Sequence, residues 1–351
     1  MVPPEGMVNV WRTTTAALSA VVVRRVHRWT RAPHLCNLAP MRRARLVVGL
    51  PALALAVAFS SAACEGCLDV YVGQPDGDTP EPEPNPPPDS GGDGDGDGGV
   101  FDGDFTLSST SVAELAAYRR VTGDLLITGV EAASLSLAQS ALVVDGDFVV
   151  QENGQLTSLV TGGLSSVGGD VRVTENALLQ SFSTTNLVSV GGDVRIVDDP
   201  ALSFVGMSNL GEVGGSITLY DGRNLRFDTL SYVDGSVTVG GPSPETRPAV
   251  VTLSLPALES IGADLVVLGL AQLVTLQAPV LNSVSGVFVV RENPLLDVLE
   301  LPALAHVGVS LCICQNETLD ACDASSVVTN LEEVSDLSID TSGNDDTLPC
   351  E

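Results

Sequence analysis

Leu164-Ser-Ser-Val167-Gly-Gly-Asp170-Val-Arg-Val-Thr-Glu-Asn176-Ala-Leu-Leu179 is the stretch that decides the fold. The same phrase returns at once as Leu187-Val-Ser-Val190-Gly-Gly-Asp193-Val-Arg-Ile-Val-Asp-Asp199-Pro-Ala-Leu202. Taking Val167 as an anchor, its equivalents are Val121, Val144, Val190, Val213, Val233, Ile261, Val284, Val307 and Val334. Successive anchors lie 23, 23, 23, 23, 20, 28, 23, 23 and 27 residues apart. A period of roughly 20–29 residues is the mark of a solenoid, in which each coil buries its apolar face only against its neighbours.

Four apolar columns follow from the alignment. Four residues past the anchor stand Leu125, Phe148, Val171, Val194, Ile217, Val237, Leu265, Phe288 and Leu311. Six past it stand Ile127, Val150, Val173, Ile196, Leu219, Val239, Val267, Val290 and Ile313. Positions two apart share one face of a strand. Leucine recurs three residues before the anchor (Leu164, Leu187, Leu210) and twelve after it (Leu156, Leu179, Leu202). The expectation is a parallel β-solenoid of about ten coils, over residues 105–351.

Turn residues repeat too. Gly168-Gly169, Gly191-Gly192 and Gly214-Gly215 precede their strands and are read as corners with positive φ. Nine past the anchor come Asn153, Asn176, Asn293 and Asn316, with Asp199 and Gly222 in the same column. Stacked amides there can satisfy backbone groups coil after coil. The column Asp124, Asp147, Asp170, Asp193 and Asp264 is read as turn chemistry, each carboxylate taking local N–H groups, with a cation ladder as the alternative. The stretch Gly240–Pro248 accounts for the spacing of 28 and reads as an inserted loop.

The N-terminal third is not repeat. Residues 1–40 read as an upstream extension, from an early start codon or a long n-region. Residues 41–63 read as a secretory signal: Arg42, Arg43 and Arg45, an apolar run from Leu46 to Phe59, then small residues. That run falls short of the ~20 residues a membrane span needs. Ser61-Ala62-Ala63-Cys64 resembles a bacterial lipobox, which implies a diacylglycerol anchor on Cys64. Residues 64–104 then form a Pro/Asp/Gly-rich tether with too little apolar matter to fold alone.

Charge excludes some partners. The chain has no lysine, and from Cys64 onward eight arginines face 43 acids. A net charge near −35 after Cys64 leaves no basic footprint for nucleic acid or anionic lipid. The tether carries Asp93, Asp95, Asp97 and Asp104 at calcium-loop spacing, with Gly98 at the sixth position. Calcium is one reading and a solvated acidic spacer the other. Cys312, Cys314, Cys322 and Cys350 crowd the last coils. An exported chain favours two disulfides there over zinc, with Cys314–Cys322 and Cys312–Cys350 as the expected pairs.

The repeat phrase resembles the receptor L domain, a right-handed solenoid akin to leucine-rich repeats, across about residues 115–340. Similar repeats occur in surface lipoproteins of Gram-negative bacteria. The resemblance implies a module that binds polypeptide ligands or partner domains. Taken with the residues, the expectation is a binding or structural module rather than an enzyme, with a surface protein or glycan as partner and no cofactor apart from the calcium reading. Glu65 after the lipobox, where an inner-membrane retention signal has Asp, points to the outer membrane or cell surface. It transfers no ligand residue. From the residues themselves, the outward strand positions Arg172, Arg195, Thr218, Tyr220, Thr238 and Arg291 are the expected binding face. A β-solenoid carbohydrate-active enzyme is the alternative, although His306 is the only histidine after the signal and no nucleophile motif occurs. A passive envelope structural protein is the third reading.

Overall fold

A computed structural model describes residues 99–108, 111–138, 141–241, 249–332 and 334–347. The upstream extension, signal, Cys64, Asp93, Asp95, Asp97, Cys350 and insertion residues 242–248 lie outside the described residues. The rest is a parallel β-solenoid of about nine turns. Its strands stack into a 10-stranded sheet, an 11-stranded sheet, and a third side divided into 5-stranded and 3-stranded sheets.

The anchor column builds the first sheet, through short strands such as Ser189–Val190 and Glu212–Val213. Every anchor from Val121 to Val307 is buried. The second sheet carries the two columns read from the sequence, in strands such as Val171–Thr174 and Val194–Val197. Its register is the predicted one: Val171 pairs with Val194 and Val173 with Ile196. Both columns are buried throughout, as are the leucines before and after them. One core therefore runs the length of the stack.

The third side has no counterpart in the sequence reading. Ser158–Val160, Ser181–Ser183 and Phe204–Gly206 pair in register. Each points one residue inward: Leu159, Phe182 and Val205. This side breaks between Asn224–Arg226 and Thr252–Ser254, where the spacing departs from 23.

Three expectations need correction. First, the tenth anchor does not join the core: Val334 is 43% exposed. The preceding 27 residues make room for a helix, Ala321–Asn330, whose Ala324 and Val327 cap the core. The Asp320 carboxylate accepts from the Cys322 N–H (2.8 Å) and caps that helix. Second, strand begins at Gly99–Phe101, inside the segment read as tether. Third, the Gly-Gly pairs do not have positive φ. Left-handed backbone falls instead eight residues past the anchor, at Gly129, Glu152, Glu175, Asp198, Gly269, Glu292 and Gln315. The paired glycines serve close approach. Gly191 N–H donates to the Val167 carbonyl and Gly214 N–H to that of Val190, both at 2.9 Å. Coils drawn this near leave no space for a side chain: a Cβ on Gly191 would run into the Gly168 carbonyl oxygen.

Candidate functional site

The asparagine corner forms as read. Asn153, Asn176, Asn293 and Asn316 are fully buried. Asn176 Oδ1 accepts from the Asn153 N–H (3.1 Å) and Nδ2 (2.9 Å), and its own Nδ2 donates to the Val150 and Thr174 carbonyls (3.0 and 2.9 Å). A second run links Asn293 and Asn316 to Asn344.

The aspartate column takes N–H groups, but from the next coil rather than its own turn. Asp124 Oδ1 accepts from Asp147 N–H, Asp147 Oδ1 from Asp170 N–H and Asp170 Oδ1 from Asp193 N–H, each at 2.7 Å. Asp104, the last residue of the calcium template, is the first rung: its Oδ1 accepts from Asp124 N–H (2.9 Å).

The expected binding face is brought together in part. Arg172, Arg195, Thr218 and Thr238 sit side by side on successive strands of the second sheet. Tyr220 falls just past the end of its strand, Ile217–Leu219. Arg291 stands farther along, bonding Gln315 Oε1 (2.9 Å) and Glu292 Oε1 (3.1 Å). Arg172 is largely spent within the fold. It pairs with Asp147 and with Asp170 (2.5 Å). Burial works against its charge, but the hydrogen bond to Asp147 and the charges of Asp147, Asp170 and Asp124 outweigh that and hold its pKa above the usual value. Arg172 therefore offsets part of the negative charge at Asp147 and Asp170 in the aspartate column.

The bridge geometry differs from expectation. Cys312 bonds Cys314, with Cα atoms 5.4 Å apart, instead of Cys314 bonding Cys322. Two residues apart on one strand, their side chains share a face, whereas Cys322 lies in the capping helix. Cys322 is itself disulfide-bonded. Cys312, Cys314 and Asp340 converge, but the sulfurs are committed to each other.

A trough that the sequence reading missed lies on the first sheet. It encloses about 620 Å³ along the outward side of the anchor strands. Residues just before each anchor form one continuous row in register: Ser166, Ser189, Glu212, Tyr232, Ser260 and Ser283. Gly168, Gly191 and Gly214 form the parallel row beside it, so the floor is backbone and small hydroxyl side chains. Glu212 and Tyr232 rise from it, both exposed. Tyr232 OH donates to Asp234 Oδ1 (2.7 Å), which lays the ring along its own strand. That bond is the main reason the phenol pKa is raised. At the other end Arg120 holds Asp145 (2.8 Å). The signal in the sequence was a column of small or polar residues alternating with the anchors.

Farther along the same row, Ser283 pairs in register with His306. His306 Nε2 faces Glu332 Oε2 at 3.4 Å. No serine hydroxyl bonds that ring among the described residues. No helix among the described residues is long and apolar enough to cross a membrane. Comparison of the chain with protein-family models, with curated proteins and with solved structures gives no match.

Proposed function

We propose that this protein is an exported, lipid-anchored cell-envelope protein whose solenoid, of receptor L-domain type, binds an extended glycan along the trough of the first sheet. The trough is the observation that carries the reading. A solenoid repeats one surface position many times, so a row of like groups suits a ligand that also repeats. Serine hydroxyls both donate and accept, and carboxylates accept from sugar hydroxyls. Tyr232 offers an apolar ring face beside a polar tip, suited to the C–H face of a sugar. A protein partner would call for buried aromatic or arginine anchors, and the trough holds one exposed tyrosine. The anchor at Cys64 and the acidic tether support placement at the outer membrane or cell surface.

The test is titration of the mature chain against soluble fragments of envelope polysaccharides. Saturable binding is expected, weakened at least about tenfold by Tyr232→Ala combined with Glu212→Ala, a loss of about 1.4 kcal/mol. The reading fails if no fragment binds. It also fails if Arg172→Ala plus Arg195→Ala abolishes binding while the trough variant keeps it, which would move the site to the second sheet. Chain cleavage during the same titration would favour the enzyme alternative.

A further inference from the structure

We propose that the corner at Asp199 is a proton site: a single proton on the Asp199 carboxyl completes the first asparagine ladder, and its release weakens the solenoid at the coil where the repeat is interrupted.

The ladder defines what its side chains must supply. At each rung, Oδ1 accepts from the rung before, and Nδ2 donates to backbone carbonyl oxygen, two in the first ladder. One carbonyl lies 26 residues back: Ile127 for Asn153, Val150 for Asn176, Val267 for Asn293, Val290 for Asn316. The other lies two residues back in the first ladder, Gln151 for Asn153 and Thr174 for Asn176. Asp199 keeps the first function, since its Oδ1 accepts from Asn176 N–H (2.8 Å) and Nδ2 (3.1 Å). It has no amide for the second. By the same count the carbonyls left for Asp199 to serve are those of Val173 and Val197. The Asp199 Oδ2 is buried without a hydrogen-bond partner, and the residue is wholly unexposed.

An ionised carboxylate has no hydrogen to offer a carbonyl and leaves the buried Oδ2 unpartnered. A neutral carboxyl supplies one donor, where the amide elsewhere supplies two. The surrounding charges favour the neutral form. Asp221, on the next coil, accepts from Asp199 N–H through Oδ2 (2.7 Å), and Asp198 adjoins on the same coil. Glu175, beside Asn176 on the coil before, is another acid. No base forms an ion pair with Asp199, Asp221 or Asp198 among the described residues. Burial pushes the Asp199 pKa up from 3.8 to about 7; the Asn176 hydrogen bonds oppose this and the charges of Asp221 and Asp198 add to it. Asp221 is also raised, first by burial.

The place matters. In the column Asp199 is followed by Gly222, which offers no side-chain amide, so the adjacent Asp221 takes the Asp199 N–H instead, and the spacing then runs through 20 and 28 residues. The ladder thus ends on two carboxyls where coil-to-coil repetition falters. Between about pH 4 and about pH 7 the folded chain holds a proton that the unfolded chain has lost. Stability therefore falls as pH rises through that window, and the contribution is gone above about pH 7.

Thermal unfolding of the full mature chain and its Asp199→Asn variant, at pH 5 and pH 8.5, tests the proposal. The variant should match the wild type at pH 5 and exceed it by about 5 °C or more at pH 8.5. A carboxyl carbon NMR titration of the wild-type chain should show Asp199 titrating near neutrality. Its midpoint should move down in Asp221→Asn, which removes a like charge. Equal variant and wild-type stability at both pH values, or Asp199 titrating with ordinary aspartates near pH 4, overturns it. If Asp199→Asn does not fold, the wild-type titration decides alone.

Discussion

At Gly191 the repeat is fixed by the absence of a single atom. The Gly-Gly pairs were legible as turn markers, but the reason for them was not. Sequence alone offers positive φ as the usual cause of a glycine, and here the cause is a neighbouring coil 23 residues away. The positive φ fell on Glu152, Glu175 and Glu292, where a side chain with no special left-handed tolerance gives no warning. Gly191→Ala should destabilise by about 2 kcal/mol or more, because the obstructing atom is backbone and cannot swing aside. Urea unfolding would read this as a lower midpoint at unchanged slope. Ala tolerated at no cost would show that the coils have slack between them.

Among the elements, those with several inward residues were legible and those with one were not. The second sheet announced itself because two columns stand two residues apart on every coil, so face and register follow together. The third sheet offers one inward residue per three-residue strand, flanked by Ser in Ser181–Ser183; no alternation exists to read. The Ala321–Asn330 helix is rich in Ser, Val and Thr, which are weak helix formers, and packing of Ala324 and Val327 outweighs that. The trough escaped notice because serine and glycine read as turn chemistry even where they pave a sheet. The asparagine ladder was legible as a column, but its inter-coil bonding required the structure. Asn176→Ala should cost about 3 kcal/mol, since it strips partners from the buried Asn153 N–H and two carbonyls. Chemical denaturation of the variant measures the loss, and a cost below about 1 kcal/mol would mean that water replaces the amide.

For the whole molecule, nearest-neighbour stacking has a direct consequence. Removing residues 168–190, one full period, should leave a shorter solenoid with intact registers, since Val167 would then be followed by Gly191 in the same phase. Circular dichroism should retain its β signal, and unfolding should stay cooperative at a somewhat lower midpoint. Loss of solubility or of β signal would show that contacts beyond adjacent coils hold the stack.

The two ends are finished differently. Phe101, Phe105 and Tyr118 close one in edge-to-face contact, with ring centres 5.0 to 6.3 Å apart. A helix and the added strand Ser338–Asp340 close the other. An open cross-section would present unpaired amide rows above bare hydrocarbon, a template onto which a second chain could grow. Among the described residues, these stoppers cover the hydrocarbon at both ends of an inherently polymerisable architecture, which works against growth of a second chain onto it.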